Sequence, residues 1–389
     1  MIPYADFMYF GVALYPALAA LALGLAGRFS RGAILLATLI MVAVQYAGPA
    51  NVAPRTVVRE VWLVLAYAAL QWAVAASFLR VRSRGSRPWV YYAALTLGLL
   101  PLAIAKFVPP LAPRYQLGFV GISYLTFRSL DVLINIQDGL LSSLPAGQFL
   151  AYLLFFPTVS SGPIDRYRRF ATDWERRRTL AEFLQDLDAA VHRVFTGFLY
   201  KFILAYLVKR YWMDAVATGP GLLRVLSYMY AYSFYLFFDF AGYSAFAVGF
   251  SYLFGIHTPE NFDRPFLAHN IRDFWNRWHI SLSNWFRDHV YMRFVFGATR
   301  GRWFKNKQLA SYLGVLLSMG LMGLWHGVQW YYLLYGLYHG VLMSGYDGLA
   351  RWNKRKKVWG EGPLWHATGI FITFNLVCFG FLLFSGRLA

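Results

Sequence analysis

Of the eight histidines in this 389-residue chain, His326 and His339 fall inside apolar runs. An ionisable side chain there is costly to bury, so it marks a functional candidate. His326 stands in Gly323-Leu324-Trp325-His326-Gly327. Its imidazole supplies a proton acceptor that titrates near neutrality, and the glycines admit the close approach of another helix or of a substrate. Gly336-Leu337-Tyr338-His339-Gly340 repeats the pattern thirteen residues later, so spacing does not choose between the two histidines. A core histidine satisfied by a backbone carbonyl leaves the same local signature.

A third histidine sits in Asp273-Phe274-Trp275-Asn276-Arg277-Trp278-His279-Ile280-Ser281-Leu282-Ser283. In a continuous helix Asp273 and Arg277 form an i,i+4 pair. Asn276 and Ser283 then fall three residues before and four after His279, where they fix its tautomer. The competing reading is a Trp/Arg anchor at the membrane interface with a structural histidine. Asp239, in Phe238-Asp239-Phe240-Ala241-Gly242-Tyr243-Ser244, is either a binding group or the structural partner of a cation or tyrosine, and the same holds for Arg128 and Asp131. The tract from Ser160 to Phe170 offers hydroxyls, a turn and a cationic face. The single cysteine, Cys378, excludes an internal disulfide, and its apolar surroundings make it a poor nucleophile. No Walker A loop, His-Glu-x-x-His zinc pattern or Gly-x-Ser-x-Gly elbow is present, which removes ATP-driven pumps and zinc proteases and leaves no metal site.

The elements that position these residues belong to a membrane. Hydrophobic residues make up 58% of the chain and charged ones 14%, against about 45–50% and about 25% in soluble domains. Runs near the roughly 20 residues of a span occur at about 7–26, 33–50, 61–79, 89–106, 117–137, 148–163, 194–213, 222–256, 309–325, 328–349 and 364–386. The pattern predicts an all-α polytopic bundle of about 11 hydrophobic segments, a single domain over 1–389 with N-terminal spans in 1–117, a core in 118–349 and a basic loop and last span in 350–389. Segment 222–256 exceeds one straight crossing, so a break is expected near Asp239–Gly242.

The net charge of +19 resides entirely in four windows, 80–87, 165–178, 264–307 and 351–357. Positive-inside topology explains this without nucleic acid. With the Arg80–Arg87 loop inside, the Pro109-Pro110-x-x-Pro113 turn lies outside. The arginines of 165–178 return inside only if 117–137 or 148–163 is re-entrant or interfacial, which leaves ten crossings and both termini outside. Window 264–307, rich in Trp and Arg and without a spanning run, has the composition of helices lying in the interface.

The tract Trp275-Asn276-Arg277-Trp278-His279-Ile280-Ser281, then Trp285-Phe286-Arg287-Asp288 and Gly323-Leu324-Trp325-His326-Gly327, resembles the signature of membrane-bound O-acyltransferases, as does the stretch around Asp239. Gly121–Arg128 and Phe155–Arg169 are similar to the branch of that family serving teichoic acid D-alanylation. After Asp288 the chain reads His289-Val290-Tyr291-Met292-Arg293, without the Pro-Leu-Gly-Gly run of alginate-type O-acetyltransferases, which moves weight to the D-alanyl branch.

That resemblance implies a bundle with a central tunnel. It implies transfer of D-alanine from the phosphopantetheine thioester of an acidic carrier protein towards teichoic acid hydroxyls, across the cell membrane of a Gram-positive bacterium. Accessory membrane proteins and lipids are the further partners, and the chain itself binds no cofactor. His326 matches the catalytic position and His279 the second tract, whereas His339 matches neither. Asn276, Trp275, Trp325, Asp239 and Ser283 become substrate or tunnel candidates. Arg302, Lys305, Lys307, Lys354, Arg355, Lys356 and Lys357 are candidates for docking the carrier through opposed potentials. An exopolysaccharide O-acetyltransferase on the same scaffold and a lipid or polymer exporter without chemistry are the alternatives.

Overall fold

The computed structural model describes residues 3–28, 30–46, 54–85, 87–111, 118–360 and 362–389; the side chains of residues 54–59, 111 and 307 fall outside this description, as do Pro113 and with it part of the expected outer turn. Among the described residues the chain is helical, and its one β feature is an isolated bridge between Phe262 and Trp278. Seven helices among the described residues are long and apolar enough to cross a membrane: Phe7–Leu25, Glu60–Arg84, Pro88–Pro110, Leu180–Val216, Leu222–Leu253, Gln308–His326 and Pro363–Phe384. This is an all-α polytopic membrane protein. It forms two compact units, Met1–Gly197 with Tyr243–Pro259, and Phe198–Gly242 with Glu260–Ala389.

The first unit opens with α1 (Phe7–Leu25), α2 (Arg31–Tyr46), α3 (Pro54–Arg84), α4 (Pro88–Leu111), α5 (Ile122–Gln137), α6 (Ala146–Leu154) and α7 (Tyr167–Glu175). Segment 148–163 is the broken one. Helix α6 has nine residues, about 14 Å at 1.5 Å per residue, and gives way to a short 3-10 turn at Phe156–Thr158. A helix that ends inside protein leaves carbonyls needing donors. Fully buried Arg128 on α5 supplies them, donating to the carbonyls of Tyr152 (3.1 Å), Leu153 (3.2 Å), Thr158 (3.0 Å) and Pro163 (3.4 Å). Asp131, one turn on, holds the far end through the Arg166 guanidinium (2.8 Å) and the Tyr167 amide (3.2 Å). Arg128 and Asp131 are therefore structural, each partnered outside its own helix.

Helix α8 (Leu180–Val216) contains two π-helical turns, Leu199–Leu204 and Val208–Met213. Helix α9 (Leu222–Leu253) corrects one expectation, for its 32 residues run without a break at Asp239–Gly242. Gly242 costs only about 1 kcal/mol inside a helix, and Asp239 forms an ion pair with Lys201, so neither residue forces the backbone open.

The second unit continues with α10 (Ile271–Arg277), α11 (Ile280–Phe286), α12 (Met292–Arg300), α13 (Lys307–His326), α14 (Trp330–Lys356) and α15 (Pro363–Phe384). The side chains of Asn270 and Asn306 cap α10 and α13 by accepting from the amides of Asp273 and Gln308, each at 2.9 Å. Helices α13 and α14 form a hairpin closed through glycine. A Cβ on Gly323 would lie 2.3 Å from the Tyr332 carbonyl oxygen, and one on Gly336 would lie 2.2 Å from that of Met319. The glycines around His326 and His339 thus admit a neighbouring helix.

Candidate active site

His279 owes its position to a backbone break. The 273–283 stretch is not one helix: α10 stops at Arg277, and His279 takes a left-handed conformation (φ 43°, ψ 51°) before α11 begins. For a side chain with a Cβ this costs about 1–2 kcal/mol, so the surroundings must enforce it. Asn261 does so. Its carbonyl accepts from the Ile280 amide (3.0 Å), and its side-chain oxygen accepts from the Ser281 hydroxyl (2.6 Å) and amide (3.3 Å).

The expected Asp273–Arg277 pair is present at 2.8 Å. The break removes the helical register in which Asn276 and Ser283 flank His279, and the Ser283 hydroxyl instead donates to the Trp278 carbonyl (3.2 Å). His279 is buried and meets Phe240 edge to face at 4.7 Å. Burial first, and the nearby charge of His326 second, push its pKa down to about 3, so the imidazole is neutral at physiological pH.

His326 is the last residue of α13, half-buried, with Phe384 edge to face against it at 4.8 Å and the Trp325 ring at 4.6 Å. Trp325 also stands 6.4 Å from His279. One indole therefore lies against both histidines.

A cavity of 340 Å³ lies among α10, α11, α13 and α14, and Trp275, Asn276 and Ser283 line it. From α13 it is lined by Ser311, Val315, Ser318, Met319 and Met322, a single helical stripe. The eleven-residue advance from Ser311 to Met322 covers about 16 Å, and Met322 is one turn short of His326. Arg272 and Asp347, paired to each other, and Arg287 line it as well. Such a slot, walled by methionines and edged with hydroxyls and an amide, suits a slender chain carrying a few polar groups.

Asp239 is not on this cavity; it is held by Lys201, while its neighbour Phe240 packs on His279. His339 is fully buried with neither ring nitrogen hydrogen-bonded, wedged against Gly380 and perpendicular to Trp275 at 5.2 Å. It backs the cavity wall. Among the described residues no group of three or more His, Cys, Asp or Glu is arranged to hold a metal ion.

The basic candidates gather at the opposite end of the hairpin from His326. Arg302 and Lys305 precede α13, and Lys354, Arg355, Lys356 and Lys357 end α14; all six are exposed. Arg351 donates to the Tyr312 hydroxyl, tying the start of α13 to the end of α14. The Lys307 side chain lies outside the described residues.

Two histidines thus flank one indole, and the helix that ends at His326 also walls the cavity. The chain belongs to the membrane-bound O-acyltransferase family, whose model matches residues 61–385. It is an acyltransferase. It is 42% identical over 401 aligned residues, covering all of this chain and 98% of the relative, to the teichoic acid D-alanyltransferase of Bacillus subtilis. It is 44% identical to that of Streptococcus thermophilus, over 80% of this chain and 79% of the relative. A probable alginate O-acetylase of Azotobacter vinelandii is 32% identical over 65% of this chain and 49% of its own length.

Proposed function

We propose that this enzyme moves D-alanine from the thioester of a phosphopantetheinyl carrier protein towards hydroxyls of teichoic acid, with His326 as the general base, in the cell membrane of a Gram-positive bacterium. The observation that carries the reading is the stripe on α13. Exposed Arg302 and Lys305 stand just before this helix, its middle walls the cavity and His326 is its last residue. An acidic carrier docked on Arg302, Lys305 and Lys354–Lys357 delivers its arm at one end. Ser311, Ser318, Asn276 and Ser283 give the arm's amides partners, and the acyl group meets the acceptor at the other end.

In the reaction, neutral His326 takes the proton of the acceptor hydroxyl as its oxygen attacks the thioester carbonyl. His279, with Trp325 beside it, supports the oxyanion from its buried position. The C–S bond then breaks, His326 returns the proton to the departing thiolate, and an ester and a free thiol remain. No covalent enzyme intermediate is required. The partners beyond the acceptor, an acidic carrier and accessory membrane proteins, belong to this proposal.

Reconstituted protein given D-alanyl carrier and acceptor should consume the thioester and form an alkali-labile ester. His326→Ala should lower turnover by about 10²–10⁴-fold, the usual contribution of a general base, with membrane levels unchanged. Near-normal transfer by that variant would refute the assignment. Faster use of an acetyl carrier would indicate the O-acetyltransferase, and an intact thioester with transported acceptor would indicate an exporter.

A further inference from the structure

A second cavity, of 520 Å³, lies in the first unit, far along the chain from either histidine tract. Five arginines line it: Arg28 between α1 and α2, Arg31 at the first residue of α2, and Arg176, Arg177 and Arg178 before α8. Three are held in place. Arg31 donates to the Trp174 carbonyl (3.0 Å), Arg176 pairs with Glu182, and Arg178 meets the Asp186 carboxylate (3.0 Å) and the Tyr252 carbonyl (3.1 Å). Arg28 and Arg177 are exposed and have no carboxylate partner among the described residues. Of the two carboxylates on the lining, Asp173 is already engaged by Arg169 (3.0 Å) and His257.

Apolar side chains line it as well. Ile34, Phe183 and Phe254 are each at most 5% exposed, and the Phe183 ring lies so close to α1 that a Cβ on Gly24 would come within 2.2 Å of it. The position fixes the depth. Gly24 is in the last turn of one candidate span, Phe7–Leu25, and Arg31 opens the shorter apolar helix Arg31–Tyr46. One apolar helix ends and the next begins at this cavity, which places it at a membrane surface.

We infer that this cavity binds the phosphate headgroup of an anionic membrane phospholipid, with Arg28 and Arg177 on the phosphate and the acyl chains leaving along the Ile34–Phe183 wall. The chemistry recognised is a phosphate ester; the apolar wall and the depth assign it to a lipid instead of a free anion. The site is independent of the transfer reaction.

The test uses the purified full-length chain in neutral detergent, titrated separately with phosphatidylglycerol, phosphatidylcholine and inorganic phosphate. Bound lipid is counted by native mass spectrometry and the thermal midpoint is followed. Phosphatidylglycerol should be retained over phosphatidylcholine and should raise the midpoint. Arg28→Gln with Arg177→Gln should weaken its binding about thirtyfold while the lipid-free midpoint stays unchanged, and the paired Lys substitutions should restore most of it. Equal binding of phosphatidylglycerol by wild type and the Gln variant would overturn the site. The same midpoint shift from inorganic phosphate alone would overturn the lipid.

Discussion

Met322 lines the wall of the 340 Å³ cavity one helical turn before His326, so the slot and the imidazole share a single helix face. The proposed base and the proposed path of the donor are consequently carried by one helix. Replacing Met322 by Trp adds volume at the inner end of the slot and keeps the histidine itself. Thioester consumption should fall at least tenfold while binding of the carrier, followed by co-purification, is retained. Undiminished turnover would remove the slot from the donor's path.

The glycine seam sets where that helix lies. A methyl group on Gly323 or Gly336 meets a backbone carbonyl that has no rotamer to yield. Gly323→Ala and Gly336→Ala should each destabilise the hairpin by about 1–3 kcal/mol, seen as a lower thermal midpoint, and should reduce transfer. Gly345, with nothing within 4 Å of its added Cβ, is the control; Gly345→Ala should be neutral or stabilising by up to about 1 kcal/mol.

Charge at the far end of the hairpin should govern encounter, not chemistry. Reversing Lys354, Arg355 and Lys356 to Glu should weaken carrier association in low salt, and the difference from wild type should shrink as ionic strength rises and screening shortens the interaction. Transfer at saturating carrier should change far less. Carrier binding indifferent to both reversal and salt would exclude this surface.

His257, in the first unit, gives a pH signature of its own. Its ring bonds to Asp186 (2.7 Å) and lies 3.6 Å from Asp173, and its amide donates to Asp173 (2.7 Å). The hydrogen bonds to Asp173 and Asp186 raise its pKa to about 9. A folded-state pKa above the unfolded value means the stabilisation is complete below the unfolded pKa, about 6.5, and is lost as pH rises through about 9. The thermal midpoint of His257→Gln should therefore lie below wild type at pH 6 and converge on it by pH 10. A gap that persists or widens at high pH would contradict the ion cluster.

Much of this architecture is legible in residue order. Apolar runs mark the spans, and the polar and turn residues of 117–137 and 148–163 mark one of the two as broken, while the choice between them comes from the structure. The histidine tracts stand out because ionisable groups are rare in such runs. The conformation of His279 does not, since its neighbours follow a helical pattern and the clamp comes from Asn261, eighteen residues earlier. Nor does the continuity of α9 through Asp239, which Lys201 pairs from another helix. The slot is equally hidden: Ser311, Ser318 and Met322 look like ordinary helix-face residues until α10, α11 and α14 enclose them.

Arg128 also constrains how the chain is made. The carbonyls that receive its guanidinium belong to residues 152–163, synthesised afterwards. A buried cation without acceptors is costly, so α5 reaches its final packing only after the broken segment has been made, and the two settle as one piece.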